Sequence, residues 1–308
     1  MVATQRELQP LLDIYFNDQL DQFNRDYSHI AKSGFSNKVD EGADYAVFVQ
    51  NQGDNMSLTS VKRGAAFTVT EDLVVANKYR EALESMRDLG ARMFRGIALD
   101  CCHVLFTQGF NASYTDRDGK TVTNSIAKTA SGEPIFDDTH TMADGSTFDN
   151  ELASAAIGES NLRALQDLTT VFIDENGQKV VWGKGPKLLV TGDDAGMNHA
   201  AQRLTVQEWN YNSTNRDMNV FQGAYRHVPL TYLATGVAGG VSTTEQFYYY
   251  VLDQELTKDA AILGVRQAPK LHDPQEDIYN GGVIWRTNTW YDLGVLYAHI
   301  GAGCPATV

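Results

Sequence analysis

The sequence has few cysteines, no long apolar run and no surplus of positive charge, and each shortage closes off a class of protein. Only Cys101, Cys102 and Cys304 occur in 308 residues. Two are neighbours and the third stands near the end of the sequence, so no disulfide framework follows and reduced thiols are expected. Cys101-Cys102-His103 is a poor metal motif, because three consecutive helical residues point about 100° apart. No apolar run approaches the roughly 18 residues of a membrane span, and residues 1–10 lack the basic and apolar regions of a signal peptide. A protein made in a reducing cytosol, with no membrane partner, is expected. The sequons at Asn55, Asn111 and Asn212 then read as chance matches. Lys and Arg number 25 against 39 Asp and Glu, a net charge of −14. That balance argues against a surface built to coat nucleic acid and leaves only a local patch such as Lys62-Arg63 for weak DNA contact.

The usual signatures of catalysis are missing as well. Gly183-Lys184-Gly185-Pro186-Lys187 lacks the spacing and the Ser or Thr of a phosphate-binding loop, and its proline removes an amide donor. The glycines of 236–240 lead into no helix start that would complete a dinucleotide site. There is no nucleophile elbow and no two-histidine zinc helix. Two polar clusters remain. Asp137, Asp138 and His140 with Asp144 could hold a divalent cation through oxygens, and Asp193-Asp194 with Asn198 and His199 could do the same. The plain readings are a solvated loop for the first and a helix cap for the second, since carboxylates in turns commonly cap. No catalytic, cofactor or metal residue is therefore assigned.

What the chain does contain is a pair of adjacent segments. In 71–108, Leu73, Tyr79, Leu83, Met86, Met93, Ile97, Cys101, Val104 and Leu105 recur at helical spacing, with Glu81, Glu84, Arg87, Asp88, Arg92, Arg95 and Asp100 on the other faces. Thr70 is the expected N-cap, and Gly90 and Gly96 are points where the helix would kink or break. A helix of this length would run about 55 Å. Before it, Tyr45, Val47 and Val49 alternate, 51–55 reads as a turn, and Leu58, Val61, Ala65, Phe67 and Val69 resume the alternation. A long polar hairpin is expected, too poor in large apolar side chains to bury both faces within its own chain.

Elsewhere, residues 1–36 suggest a short amphipathic helix followed by an arm. Residues 109–158 suggest hairpins, turning at Asp118-Gly119 and Asp144-Gly145. A helix is expected over 159–174, and a buried strand over 186–191 leading to a helix capped by Asp193 or Asp194. Residues 220–232 read as strand and 236–240 as a flexible tip. Strands are expected at 246–252, 260–265 and across 282–300, the last with a turn at Asn288.

This order of parts resembles the tailed-phage major capsid proteins of the Hong Kong 97 fold. The segment 132–140, Gly-Glu-Pro-Ile-Phe-Asp-Asp-Thr-His, followed by Asn161-Leu162 and a helix, is similar to the Mu-like major head subunits. Residues 186–204, Trp285-Arg286 and 291–295 are similar to the later strand and helix pattern of that group. The resemblance implies an α+β fold with an N-terminal arm (1–36), an extended β-hairpin loop (37–70), a peripheral domain with a spine helix and loop region (71–159), an axial domain (160–245) and C-terminal strands returning to the peripheral domain (246–308).

The same resemblance implies a shell subunit that assembles as pentamers and hexamers around double-stranded DNA, in a virion built in a bacterial cytoplasm. Its partners would be further copies of itself, scaffolding and portal proteins, an optional decoration protein, and DNA held weakly on the inner face. Asp44, Val47, Val49, Lys62, Arg63 and Phe67 are the candidate inter-subunit residues. Two alternatives stand beside it: an encapsulin-like compartment, and a metal-dependent hydrolase using Asp137, Asp138 and His140.

Overall fold

The computed structural model describes residues 9–30, 39, 44, 52–70, 72, 79–116, 118–123, 132–142, 145–174, 178–209, 217–234, 244–276 and 282–306. In chain order these form β1 (Phe16–Gln19), β2 (Asn24–Ile30), β3 (Gln52–Thr59), β4 (Val61–Val69), α1 (Tyr79–Cys102), β5 (Ser113–Thr115), β6 (Thr121–Thr123), β7 (His140–Thr141) and β8 (Thr147–Phe148). There follow α2 (Glu159–Thr170), β9 (Lys187–Thr191), α3 (Ala195–Val206), β10 (Arg226–Pro229), β11 (Tyr249–Asp253), α4 (Gln254–Ala260), β12 (Ala261–Leu271), β13 (Gln275–Glu276), β14 (Val283–Val295) and β15 (Gly301–Cys304).

Two sheets organise the chain. The four-stranded sheet runs β10-β9-β11-β15, and its side chains alternate between two separate cores. Leu188, Val190, Tyr250 and Leu252 enter one core, with Phe106, Phe136 and Ile300. Leu189, Tyr249, Val251, Ala302 and Cys304 enter the other, with Leu162 and Leu165 of α2 and Met197, Ala201 and Leu204 of α3. Burial on both faces explains why these strands read as unbroken apolar runs. The five-stranded sheet runs β1-β12-β14-β13, with β4 also paired to β14. Its strands alternate instead: Thr287, Thr289 and Tyr291 of β14 are buried, while Ile284, Asn288 and Trp290 are partly exposed.

Several expectations hold. Asp194 caps α3 by accepting the Met197 N–H at 2.8 Å, and β9 precedes it as expected. The loop region forms two hairpins, β5 with β6 and β7 with β8, turning through glycines of positive φ, Gly119 at 76° and Gly145 at 84°. The helix α1 passes Gly90 and Gly96 without a break and ends at Cys102 in a π turn over His103–Thr107, where Gln108 N–H bonds His103 O at 2.9 Å. Of its predicted start, residues 71 and 73–78 lie outside the described residues.

Others are corrected. Residues 52–55, expected in a turn, belong instead to β3, which pairs with β2; 45–49 and 51 lie outside the described residues. β4 is a full member of the five-stranded sheet, in register with β14 from Val61 opposite Tyr291 to Val69 opposite Val283. β14 continues straight through Asn288, whose amide oxygen accepts from Gln267 Nε2 at 3.0 Å. Of the expected arm at 1–36, residues 9–30 are described: β1 pairs in parallel with β12, and Leu11, Ile14 and Tyr15 are buried. Of 220–232 only Arg226–Pro229 is strand. Leu83 is exposed, so the core stripe of α1 runs through Leu89, Met93, Ile97 and Cys101. Among the described residues no helix is long and apolar enough to cross a membrane.

Candidate assembly surface

The predicted inter-subunit residues part company at β4, because neighbouring side chains on a strand point to opposite faces. Arg63 faces α1. Its Nε lies 3.3 Å from Asp100 Oδ2, its guanidinium reaches Asp118 Oδ2 at 3.1 Å, and it sits 5.2 Å from the centre of the Tyr291 ring. Tyr291 donates its hydroxyl to the same Asp100 carboxylate. Burial works against the Arg63 charge, yet Asp100, Tyr291 and Asp118 outweigh it and raise the pKa. Arg63 thus ties β4, α1 and the β5–β6 hairpin together within one subunit. Phe67 lies half-buried opposite Trp285. Lys62 points to the other face, 5.8 Å above the Trp290 ring. Asp44 is exposed, and Val47 and Val49 lie outside the described residues.

β2 and β3 pair only with each other, a two-stranded ribbon. The root of this ribbon is fastened to the five-stranded sheet. Thr59 N–H bonds Asp292 Oδ2 at 2.7 Å, Tyr27 donates to Asp18 at 2.5 Å, and His29 stacks on Tyr297 at 4.7 Å. Leu58 and Met56 settle over Gly264 and Gly294, where a Cβ on Gly264 would come within 2.8 Å of Leu20 and one on Gly294 would run into the Met56 sulfur. A cleft of about 300 Å³ remains between Met56, Leu58, Val104, Val122 and Leu293.

Four members of the two polar clusters, Asp137, His140, Asp194 and Asn198, have structural hydrogen-bond partners, and Asp144 lies outside the described residues. His140 is buried, with Nε2 3.0 Å from Asn150 Oδ1 and its ring stacked on Phe148 at 4.8 Å. Asn150 also accepts from Asp137 N–H and donates to the carbonyls of Ile135 and Ala298, so it joins this loop to the chain end. Burial lowers the pKa of His140, the neutral form being the one its apolar site favours. Asp138 is exposed and does not converge with it. In the second cluster Asp194 serves α3 and Asn198 accepts from Thr191 Oγ1 at 2.7 Å. The Gly183 and Gly185 amides, offered above as a failed phosphate loop, both point at the buried Asp253 carboxylate, at 2.7 and 3.4 Å. Cys101 and Cys102 are buried, and burial raises both thiols, Cys102 to about 12, so neither is a thiolate nucleophile. Among the described residues no group of three His, Cys, Asp or Glu side chains is placed to hold a metal ion.

Sequence reasoning missed one cluster. The loop brings Asp137, Asp138, Asp149 and Glu151 close enough to act on one another, and burial followed by those three carboxylates raises Glu151 to about 7. Asp137 and Asp149 are raised too, first by burial and then by neighbouring acids.

No known sequence family matches the chain, and no curated protein sequence matches it. Solved structures do. The capsid of the cyanophage P-SCSP1u aligns over 96% of this chain and 87% of its own, with TM-score 0.57 at 11% identity. The capsid of Myoviridae phage XM1 aligns over 96% and 90%, with TM-score 0.54 at 12% identity. The mature capsid of bacteriophage PhiM1 aligns over 95% and 85%, with TM-score 0.53 at 12% identity. The chain has the fold of tailed-phage major capsid proteins. In this capsid fold the mixed helix and strand content expected from the sequence is present.

Proposed function

We propose that this chain is the major head protein of a tailed bacteriophage, assembling as pentamers and hexamers into an icosahedral shell around double-stranded DNA. The observation that carries the reading is the fold, shared from end to end with capsid proteins at identities too low for any shorter resemblance to explain. The extended loop, placed at 37–70 from the sequence, is better drawn as the ribbon from β2 to β3, because β4 is committed to the sheet. Apolar side chains left exposed on the single subunit support further contacts between copies: Val206 and Trp209 after α3 with Met218 and Val220 nearby, and Leu83 on α1. Residues 160–245 would then meet at the symmetry axes. Scaffolding, portal and decoration proteins are the partners this role calls for.

The test is electron microscopy of the chain expressed with its scaffolding protein. Closed isometric shells are the expected result. Shells holding nuclease-protected DNA in an infected cell would complete the reading, and shells holding a protein cargo without genome would replace it with the compartment. Particles no larger than dimers or tetramers, with scaffold present, would sink it.

A further inference from the structure

The three adjacent strands β12, β14 and β4 reverse the charge balance of the chain. They carry Lys62, Arg63, Arg266, Lys270 and Arg286 and a single carboxylate, Asp292, in a sequence where acids outnumber bases 39 to 25. Arg63 is spent on the α1 side, and the other four belong to the opposite face. Lys62 alternates with Arg63, Arg286 with Thr287, Lys270 lies opposite Asn288, and Arg266 reaches over Trp290. None of the four is ion-paired among the described residues. Asp292, at the end of the face, already accepts the Thr59 amide.

Aromatic rings hold two of these cations in place. Phe23 and Trp290 meet edge to face at 5.5 Å. The Arg266 guanidinium lies 3.4 Å from the Phe23 centroid and 5.7 Å from that of Trp290, and Lys62 covers Trp290 at 5.8 Å. Cations fixed on rings lose little freedom when a carboxylate arrives. Gathered like charge also costs the free subunit stability, a cost relieved when an anionic surface covers it.

The chain supplies such a surface elsewhere. Asp137, Asp138, Asp149 and Glu151 are close enough to repel one another, and among the described residues no Lys or Arg forms an ion pair with any of them. This cluster sits beside the four-stranded sheet, where Glu151 bridges to Gly303 of β15. Two patches of opposite sign on different sheets suit a head-to-tail contact, the kind that closes rings of subunits. We infer that the outer face of β12, β14 and β4 is an interface between copies of this chain, and that it receives the neighbour's Asp137, Asp138, Asp149 and Glu151 carboxylates. The inference rests on the self-assembling reading. A nucleic acid is the competing anion, but a net charge of −14 opposes its approach while placing carboxylates on every copy.

The test is a charge swap read by sedimentation velocity and microscopy. One variant carries Lys270→Glu with Arg286→Glu, the other Asp138→Lys with Glu151→Lys. Each alone should melt close to the wild type and self-associate at least about tenfold more weakly, while an equimolar mixture, in which the unaltered sheet face of one variant meets the unaltered carboxylates of the other, should associate. Either variant assembling alone as the wild type does, or a mixture that stays monomeric, would overturn the inference. So would a sheet-face variant that still assembles but loses a mobility shift with linear double-stranded DNA. If the wild type forms no closed shell the proposed function fails, and the mixture still decides this contact by forming or not forming the mixed oligomer.

Discussion

The two sheets of this chain solve different problems with the same backbone geometry. β9 and β11 are buried on both faces, and every residue of β11 and β15 is shut away from solvent. β14 and β4 pack one face against α1; the other is covered by the ribbon at Gly264 and Gly294, where β12 is fully buried, and beyond that is partly exposed and lined with Lys62, Arg266, Lys270 and Arg286. A strand buried on both sides gives its side chains to stability, each large apolar one contributing about 1.5–3 kcal/mol. A strand buried on one side can spend alternate residues on recognition at little cost to the fold. In this chain the four-stranded sheet is closed on both sides, and the five-stranded sheet keeps charged side chains exposed on β4 and β14.

The sharpest way to break that comparison is to change the charge at one position in each sheet. Val251→Asp places a carboxylate in a fully closed core and should cost about 4 kcal/mol or more, seen as loss of the thermal transition or of soluble protein. Lys270→Ala should change stability by no more than about 0.5 kcal/mol. Comparable melting temperatures would mean that the two sheets are not distinguished by burial.

Asp253 marks the seam of the closed sheet. Its buried carboxylate accepts from Gly183, Gly185, Glu255 and Leu256, so Asp253→Ala strands several amides at once and should cost about 3 kcal/mol in denaturant titration. A loss under about 1 kcal/mol would show that water replaces the carboxylate. On the other sheet, Arg63→Met leaves Asp100 buried beside Tyr291 without its cation and should cost about 2–3 kcal/mol. If Arg63 were instead an inter-subunit residue, as the sequence suggests, the variant would fold normally and fail only in assembly.

Along α1 the same contrast runs within one helix. Ile97 and Leu89 are buried and Leu83, about one and two-thirds turns before Leu89, is exposed. Leu83→Asp should therefore leave unfolding within about 0.5 kcal/mol of the wild type, whereas any effect it has should appear in assembly. A melt as damaged as that of a core variant would place Leu83 back in the subunit core.

Much of the closed sheet was legible in the sequence, and less of the open one. The run Leu188 to Val190 followed by Asp194 announces strand, turn and helix because burial on both faces leaves no polar interruption. Gly119 and Gly145 announce their hairpins because each needs a positive φ. β3 stays hidden, since its pairing with the polar β2 is made by backbone bonds, and the apolar side chains described on it are Met56, packed on the core, and the buried Leu58. Asn288 imitates a turn residue, yet its amide oxygen is taken by Gln267 and His272 across the sheet. The cationic face is spread from residue 62 to residue 286, and only strand register collects it. Asp137 and Asp138 stand out as neighbours, whereas Asp149 and Glu151 join them through the fold of the loop.

Glu151 gives the most discriminating effect. Burial, and then Asp137, Asp138 and Asp149, raise its carboxyl to about 7, while the unfolded chain releases the same proton near the ordinary value of about 4.3. Between those values the folded chain keeps a proton that the unfolded chain has lost, so stability falls as pH rises through the window. Below it the group costs nothing, and above it the full repulsion of the cluster is present. His140 acts in the opposite direction. Burial lowers its pKa, so as pH falls below about 6.5 the unfolded chain takes up a proton that the folded chain refuses, and stability is lost. Glu151→Gln removes the first effect and keeps the second. The variant should melt higher than the wild type at pH 8, and the difference should shrink towards pH 5. Parallel melting curves across that range would mean that the carboxylates of the loop do not feel one another, and the acidic patch would lose its claim as the counterpart of the cationic sheet.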